Sequence, residues 1–379
     1  MKIVITVNKY NPNLDGVQFV TNYICEELTK LGNDIILITS LFTVVKSKEF
    51  EKINGVSVFR LPMQTKHTFH FGNKKKYRRF LLEKCKDADC LINVGTQVSF
   101  TDWAFKVLKR INCKKILYVH SIWDFKIHKS DFSSFKSILF KLFNNLRWSL
   151  YYINSGRFFK MYNNVIQLHE EDYSVRFFKK RYDITSDIIY NAADNIFFED
   201  KVHNKNDDYI IYVANYLDRK NQLDAVKIFE KIIQKCGTNM KLYFVGSEKS
   251  PYYYKLINYV KTHKLEDKIY CYVGMSRIET INLIKDSKFI LMTSKWEAFP
   301  ISIIEGMAAG KPFLSTDVGV VRFFPGGITG DLKTLEKWVL LFIKNQYLID
   351  DYGKIARDFA KENFVIKKQV SKLLTYIKE

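Results

Sequence analysis

Ser294-Lys295-Trp296-Glu297-Ala298-Phe299-Pro300-Ile301-Ser302-Ile303-Ile304-Glu305-Gly306-Met307-Ala308-Ala309-Gly310-Lys311-Pro312 sets two glutamates, Glu297 and Glu305, eight residues apart. Ahead of it, Lys288 to Met292 is an apolar run that predicts a buried strand. Pro300 suits the first turn of a helix, and Gly310 ends that helix. Phe313-Leu314-Ser315-Thr316 then starts another strand. The order strand, loop, helix, strand predicts an α/β fold with a parallel sheet. Glu297 falls on the loop at a strand's carboxyl end, and Glu305 lies a turn and a half into the helix. Both are expected to point into one crevice above the sheet, where such folds bind ligands.

A carboxylate accepts several hydrogen bonds and so suits the vicinal hydroxyls of a sugar. The amides at a helix start attract phosphate. The two together suit a nucleotide sugar. Read alone, the spacing describes two solvated glutamates equally well. The surrounding residues add to it. The stretch resembles the E-x7-E signature of the retaining glycosyltransferases of GT-B fold, the family 4-like "glycosyl transferases group 1" that includes lipopolysaccharide and capsule enzymes. The resemblance continues through Ser315-Thr316-Asp317-Val318-Gly319 and recurs at four other places in the same order.

The chain has 379 residues, enough for two domains, and 47% hydrophobic residues, enough for large cores. Lys plus Arg is 60 and Asp plus Glu is 40, a formal charge of +20. Such an excess implies an anionic partner, although a biased genome also produces it. Six cysteines, at positions 25, 85, 90, 113, 236 and 271, form no C-x2-C pair, so no structural zinc site is expected. Cys25 and Cys271 sit in apolar patterns and read as reduced core residues, which favours a cytoplasmic protein. The start of the chain is too short in apolar residues for a secretory signal, and no run approaches the ~20 apolar residues of a membrane span. The expectation is a cytoplasmic protein, soluble or peripheral at the inner face of a membrane.

Strand and helix patterns alternate in two series. The first has strands at Lys2 to Val7, Asp34 to Thr39, Val56 to Leu61, Cys90 to Val94, Ile116 to His120 and Asn164 to Leu168, with a helix from about Val17 to Leu31. The second has strands at Tyr209 to Val213, Lys241 to Val245, Lys268 to Val273, Phe289 to Met292 and Phe313 to Ser315. This predicts an N-terminal domain over 1–190, a hinge and linker over 191–208, and a second domain over 209–360. Two such units predict a two-lobed enzyme with its site in the cleft. The resemblance implies the same: two Rossmann-like domains, the first for the acceptor and the second for the nucleotide sugar. It also implies that the last helix, within 361–379, crosses back to the first domain.

Tyr212-Val213-Ala214-Asn215-Tyr216-Leu217-Asp218-Arg219-Lys220-Asn221 is similar to the family loop that grips the donor diphosphate with an arginine and a lysine. Lys220 matches the lysine, Asn215 stands where the arginine is expected, and Arg219 is a candidate substitute. Asn11-Pro12-Asn13-Leu14-Asp15-Gly16-Val17 resembles the glycine loop after the first strand, with Gly16 kept and Asp15 in place of the other glycine. His120 matches a histidine that lines the donor-sugar pocket near the reacting carbon. Tyr118, Trp123 and Asp124 stand beside it as candidates for shaping the acceptor pocket. Tyr190-Asn191-Ala192-Ala193-Asp194 resembles the hinge, and Arg277 is a candidate on the nucleobase side.

By this resemblance, Glu305 holds the ribose hydroxyls and Glu297 the sugar hydroxyls beside the anomeric centre. Lys220, the Gly16 backbone and the amides at Phe299, Pro300, Ile301 and Ser302, with Ala298 before them, stabilise the leaving diphosphate. Lys220 and His120 join Glu297 as the catalytic set. No metal and no cofactor are expected; the nucleotide sugar is a co-substrate. The acceptor is a glycan or lipid-linked glycan of a surface polysaccharide pathway. Two other readings stand. One is a nucleotide-sugar epimerase of the same fold. The other is a basic nucleic-acid-binding protein, suggested by Lys74-Lys75-Lys76-Tyr77-Arg78-Arg79-Phe80. That stretch matches no nucleic-acid fold signature, and no nucleic acid is expected. Finally, Phe125 to Lys160 carries seven Lys and Arg against one Asp, interleaved with aromatics. Ser137 to Tyr152 predicts a helix with an apolar and a basic face, as on an anionic membrane.

Overall fold

The computed structural model describes residues 1–11, 16–41, 48–66, 69–127, 132, 134–199 and 208–379. Asp15 and most of its loop, the linker at 200–207, and Lys129 and Asp131 lie outside the described residues. The chain divides into two compact units: Met1–Ile189 with Val370–Glu379, and Tyr190–Gln369. The unit boundary falls at the start of the Asn191 hinge, whose residues count with the second unit.

The first unit has strands β1 (Lys2–Thr6), β2 (Asp34–Ser40), β3 (Phe50–Ile53), β4 (Val56–Leu61), β5 (Gln64–Lys66), β6 (Phe69–Phe71), β7 (Cys90–Val94), β8 (Lys114–Tyr118), β9 (Asn164–Gln167) and β10 (Asp187–Ile188). Eight of them form one sheet in the order β10-β9-β8-β7-β1-β2-β4-β3, with β5 and β6 as a separate antiparallel pair. Among the described residues, only the edge strand β3 runs antiparallel in the main sheet. Ile3, Val4 and Ile5 of β1 are buried, as are Ile35 to Ile38 of β2. Continuous apolar strands of this kind need cover on both faces, which helices provide. The helix Gly16–Lys30 buries Val20, Ile24 and Leu28, at helical spacing. β8 ends at Tyr118, so His120 stands two residues beyond the strand in which it was expected.

The helix expected over Ser137 to Tyr152 extends further at both ends. Phe135–Phe159 is a single helix of 25 residues, started by Ser134, whose side chain accepts from the Ser137 N–H. An apolar face and a separate basic face were predicted within it. Phe135, Leu139, Phe140, Phe143, Leu146 and Ile153 are exposed, and the basic face is incomplete, since Lys141 is buried with Asn144, Trp148, Tyr152 and Phe159. Local partners explain the buried polar groups. Lys141 Nζ donates to the Asp124 carbonyl at 2.7 Å and lies 4.9 Å from the centre of the Trp123 ring. Asn144 donates to the Phe140 carbonyl. Both polar groups are satisfied inside, and the large aromatics are left outside.

Among its described residues the second unit has six parallel strands: β11 (Tyr209–Val213), β12 (Lys241–Gly246), β13 (Ile269–Val273), β14 (Phe289–Met292), β15 (Phe313–Thr316) and β16 (Gly327–Gly330). Their order is β13-β12-β11-β14-β15-β16. Counted within the unit this is 3-2-1-4-5-6, so the chain reverses direction of travel between β11 and β14. The helix Ile301–Ala308 packs against β14 through Gly306, where a Cβ would come within 2.5 Å of the Ile290 side chain. Pro300 occupies the N-cap position of that helix, one residue before the first turn in which it was expected.

Candidate functional site

Loops leaving the carboxyl ends of the adjacent strands β11, β14 and β15 are tied to one another. The Lys295 N–H donates to the Arg219 carbonyl at 2.8 Å, and the Thr293 hydroxyl donates to the Asn221 carbonyl at 2.8 Å. The Thr316 hydroxyl donates to the Ser294 carbonyl at 2.6 Å, and the Val320 N–H to the Ala298 carbonyl at 3.2 Å. Gly319 makes the last contact possible. Its φ is +56°, and a Cβ there would lie 2.3 Å from the Ala298 carbonyl oxygen. Tyr212 supports the assembly from below. Its buried hydroxyl accepts from the Thr293 N–H and donates to the Lys220 carbonyl. Burial pushes its phenol pKa well up, so it remains a donor.

Lys220 and Glu297 meet at this point. Lys220 Nζ lies 2.5 Å from Glu297 Oε1, and the Ser294 hydroxyl donates to the same oxygen at 2.7 Å. The side chains are only 16% and 7% exposed. Burial pulls the Lys220 ammonium below its usual pKa, while Glu297 acts in the opposite sense. The pair is formed by loops from β11 and β14, the two strands that flank the reversal of strand order. Ligands of open α/β sheets bind there.

Glu305 forms a second ion pair. It is nearly buried and accepts from Arg277 Nη2 at 2.5 Å. Arg277 is the first residue of the helix Arg277–Asp286, which starts in a capping box of Ser276 and Glu279. Its guanidinium also lies 5.3 Å from the centre of the Phe197 ring. The helix Ile301–Ala308 has no side-chain cap. Ile301 and Ser302 contribute N–H groups to its first turn, but Pro300 has none and leaves the expected set of amides. Phe299 is buried against Tyr190, Phe324 and Phe364, and its carbonyl accepts from Asn191 Nδ2. Ala298 is half-buried.

The structure thus brings Lys220, Arg219, Glu297 and Ala298 together, and pairs Arg277 with Glu305. Arg219 is exposed, with its guanidinium 5.9 Å from the centre of the Trp296 ring. Asn215 is exposed, and its Oδ1 accepts from the Ser247 hydroxyl at 2.7 Å. Gly16 and His120 belong to the first unit. Gly16 is the exposed first residue of the helix Gly16–Lys30. His120 is 9% exposed and stacks on Tyr118, and burial lowers its pKa to about 4. Sequence reasoning missed both ion pairs and the supporting Tyr212, Ser294 and Ser247. The partners are separated by 77 and 28 residues. Only the strand order signals that they meet. Among the described residues, no group of three or more His, Cys, Asp or Glu side chains could hold a metal ion.

Residues 194–323 match the family model of the Glycosyl transferases group 1. The N-acetyl-alpha-D-glucosaminyl L-malate synthase of Bacillus anthracis is 27% identical over 173 residues, 44% of this chain and 44% of that protein. The match therefore spans less than half the length of that relative. The O-antigen biosynthesis glycosyltransferase WclY of Escherichia coli is 22% identical over 304 residues, 79% of this chain and 80% of the other. The crystal structure of Anabaena HepE in complex with UDP and glucose aligns over 99% of each chain, with a TM-score of 0.71 at 14% identity. That likeness shows the fold. Residues 194–323 thus resemble the glycosyl transferases group 1, and the fold shared along the chain's length is the GT-B fold.

Proposed function

We propose that this chain transfers a sugar from a nucleotide-diphosphate sugar to a hydroxyl of a glycan or lipid-linked glycan, with retained configuration and without a metal ion, in the assembly of a surface polysaccharide. The observation that carries this reading is the buried Lys220–Glu297 pair at the strand-order reversal. It supports the reading because a cation suited to a diphosphate stands beside a carboxylate suited to sugar hydroxyls. In the reaction the bond from the anomeric carbon to the diphosphate oxygen breaks, and a bond to the acceptor oxygen forms on the same face. The acceptor proton passes to the departing diphosphate, so no side chain is needed as general base. Negative charge builds on the leaving oxygen, and catalysis requires fixed positive groups there. Lys220 supplies one. Arg219 and the N–H groups of Ile301 and Ser302 supply others, and the Asn215 amide adds a neutral donor. Glu305, oriented by Arg277, accepts from the ribose hydroxyls. His120 is neutral near pH 7, with its pKa at about 4, so its proposed part in sugar binding is that of a neutral polar group.

A donor screen tests this. The chain is incubated with UDP-, GDP-, ADP- and dTDP-sugars, and thermal protection and turnover are measured. HepE holds UDP and glucose, which makes a UDP-sugar the first to try. We expect one donor to protect the wild type but not Glu305→Ala, EDTA to leave transfer intact, and NMR to show the donor's anomeric configuration in the product. An inverted product or an absolute need for manganese would overturn the mechanism. Conversion of the donor with no acceptor present would instead support an epimerase.

A further inference from the structure

The long helix Phe135–Phe159 leaves eight large apolar side chains at least half exposed, from Leu142 at 50% to Phe135 at 75%. They include Phe140, Phe143, Leu146, Leu150 and Ile153, and they recur at helical spacing along one face. From Phe135 to Ile153 this face runs about 27 Å. The surface continues onto the β5–β6 hairpin. There Phe69 is 60% exposed, with the Arg147 guanidinium 4.5 Å from its ring centre, and Phe71 is 51% exposed. Monomeric soluble proteins rarely expose an apolar patch larger than a few hundred Å².

Cations frame the patch. Lys136 lies at one end of the helix, with Arg157 and Lys160 at the other, and all are exposed. Lys74, Lys75, Lys76 and Arg79, also exposed, follow the hairpin directly. The helix itself contains no Asp or Glu. We propose that this face docks onto an anionic lipid bilayer, with the helix axis in the plane of the interface. Its apolar side chains enter the boundary between headgroups and acyl chains, and the cations contact the headgroup phosphates. Charge decides between a bilayer and a second copy of the chain. A two-fold contact through this face would set lysines and arginines against lysines and arginines, whereas anionic headgroups neutralise them. No helix among the described residues is long and apolar enough to cross a membrane, so the helix lies on the surface. The claim is independent of the transferase reading.

The test is flotation of the full chain with vesicles of phosphatidylcholine, with and without phosphatidylglycerol. We expect binding to the anionic vesicles only. Added salt should weaken it without abolishing it, because screening acts on the cations and not on inserted hydrocarbon. The double variant Phe140→Ser/Phe143→Ser should keep its melting temperature, since both side chains already face water. Its partition should fall about a hundredfold, roughly tenfold per side chain. A tryptophan reporter, Leu146→Trp, should blue-shift on vesicle addition and be quenched by brominated acyl chains. Failure to float with anionic vesicles at low salt would overturn the proposal, as would unchanged partition of the double variant. A concentration-dependent dimer that the same variant abolishes would assign the face to a second copy instead.

Discussion

Replacing Lys220 by methionine keeps most of its aliphatic stem and removes the ammonium. Glu297 is then 7% exposed with its countercharge gone, although the Ser294 hydroxyl still donates to it at 2.7 Å. Removing one partner of a buried ion pair costs about 3–5 kcal/mol, because the other charge stays desolvated. Lys220 keeps 16% of its side chain in solvent, which favours the lower end, about 3 kcal/mol. Changing Glu297 to glutamine in the same chain removes the stranded charge and little else. The double variant should therefore recover most of the loss, with a coupling energy of about 2 kcal/mol. Urea unfolding of the wild type, both single variants and the double variant measures this. Donor binding should behave differently. A lost hydrogen bond to a charged group costs about 1.5–3 kcal/mol, so affinity for a nucleoside diphosphate falls roughly ten- to hundredfold. The double variant does not regain it, since the lysine is still missing. Strictly additive stability costs would show that the pair is not energetically coupled. Wild-type nucleotide affinity in a folded Lys220→Met protein would remove Lys220 from the diphosphate grip.

Three further outcomes follow from the same geometry. Glu305→Ala should weaken nucleoside diphosphate binding by about ten- to hundredfold in calorimetry while turnover at saturating donor changes less, because the residue is assigned to the ribose and not to the reacting carbon. Gly319→Ala places a Cβ 2.3 Å from the Ala298 carbonyl and 2.6 Å from that of Glu297 at a positive φ, so it should destabilise by about 2 kcal/mol or more and depress turnover; a wild-type melting temperature would show that this loop does not brace Glu297. His120 has a folded-state pKa of about 4 against an unfolded value of 6.5, so the unfolded state binds more protons between these values and stability falls as pH drops through that window. The loss amounts to about 2 kcal/mol between about pH 7 and about pH 4.5, and His120→Asn should lack it when unfolding is compared at those two values.

Much of the second unit was legible because its strands are short, continuous apolar runs between turn residues. Tyr209 to Val213 and Phe289 to Met292 were read with the boundaries the structure shows. Gly327-Ile328-Thr329-Gly330 was not, since two glycines in four residues give β16 little strand propensity of its own; pairing with β15 makes it a strand. Helix periodicity finds an amphipathic helix but not which side faces inward. At Phe135–Phe159 the inward side includes Lys141, which periodicity could not show, because a backbone carbonyl and an indole ring satisfy it. Glu297 and Glu305 could be singled out from their spacing and surroundings. Their partners could not, because Lys220 and Arg277 reach them only through the neighbour relations of β11, β14 and the helices beside them.

Those partners change what the two glutamates mean for the chemistry. Each carboxylate is already held by a cation from another loop, so the donor meets a site in which the charges are balanced in pairs. In the proposed reading, binding is an exchange of partners. The diphosphate draws Lys220 toward its own oxygens, and the sugar hydroxyls take the hydrogen bonds that Glu297 gives up. The same exchange lets ribose hydroxyls share Glu305 with Arg277. A site arranged this way keeps its carboxylates and its lysine in place before the donor arrives, which spares much of the reorganisation that would otherwise oppose catalysis. It also sets the selectivity: a free sugar cannot compensate Lys220, and an inorganic diphosphate cannot satisfy Glu297. Only a ligand carrying both groups at the right separation replaces every interaction it breaks.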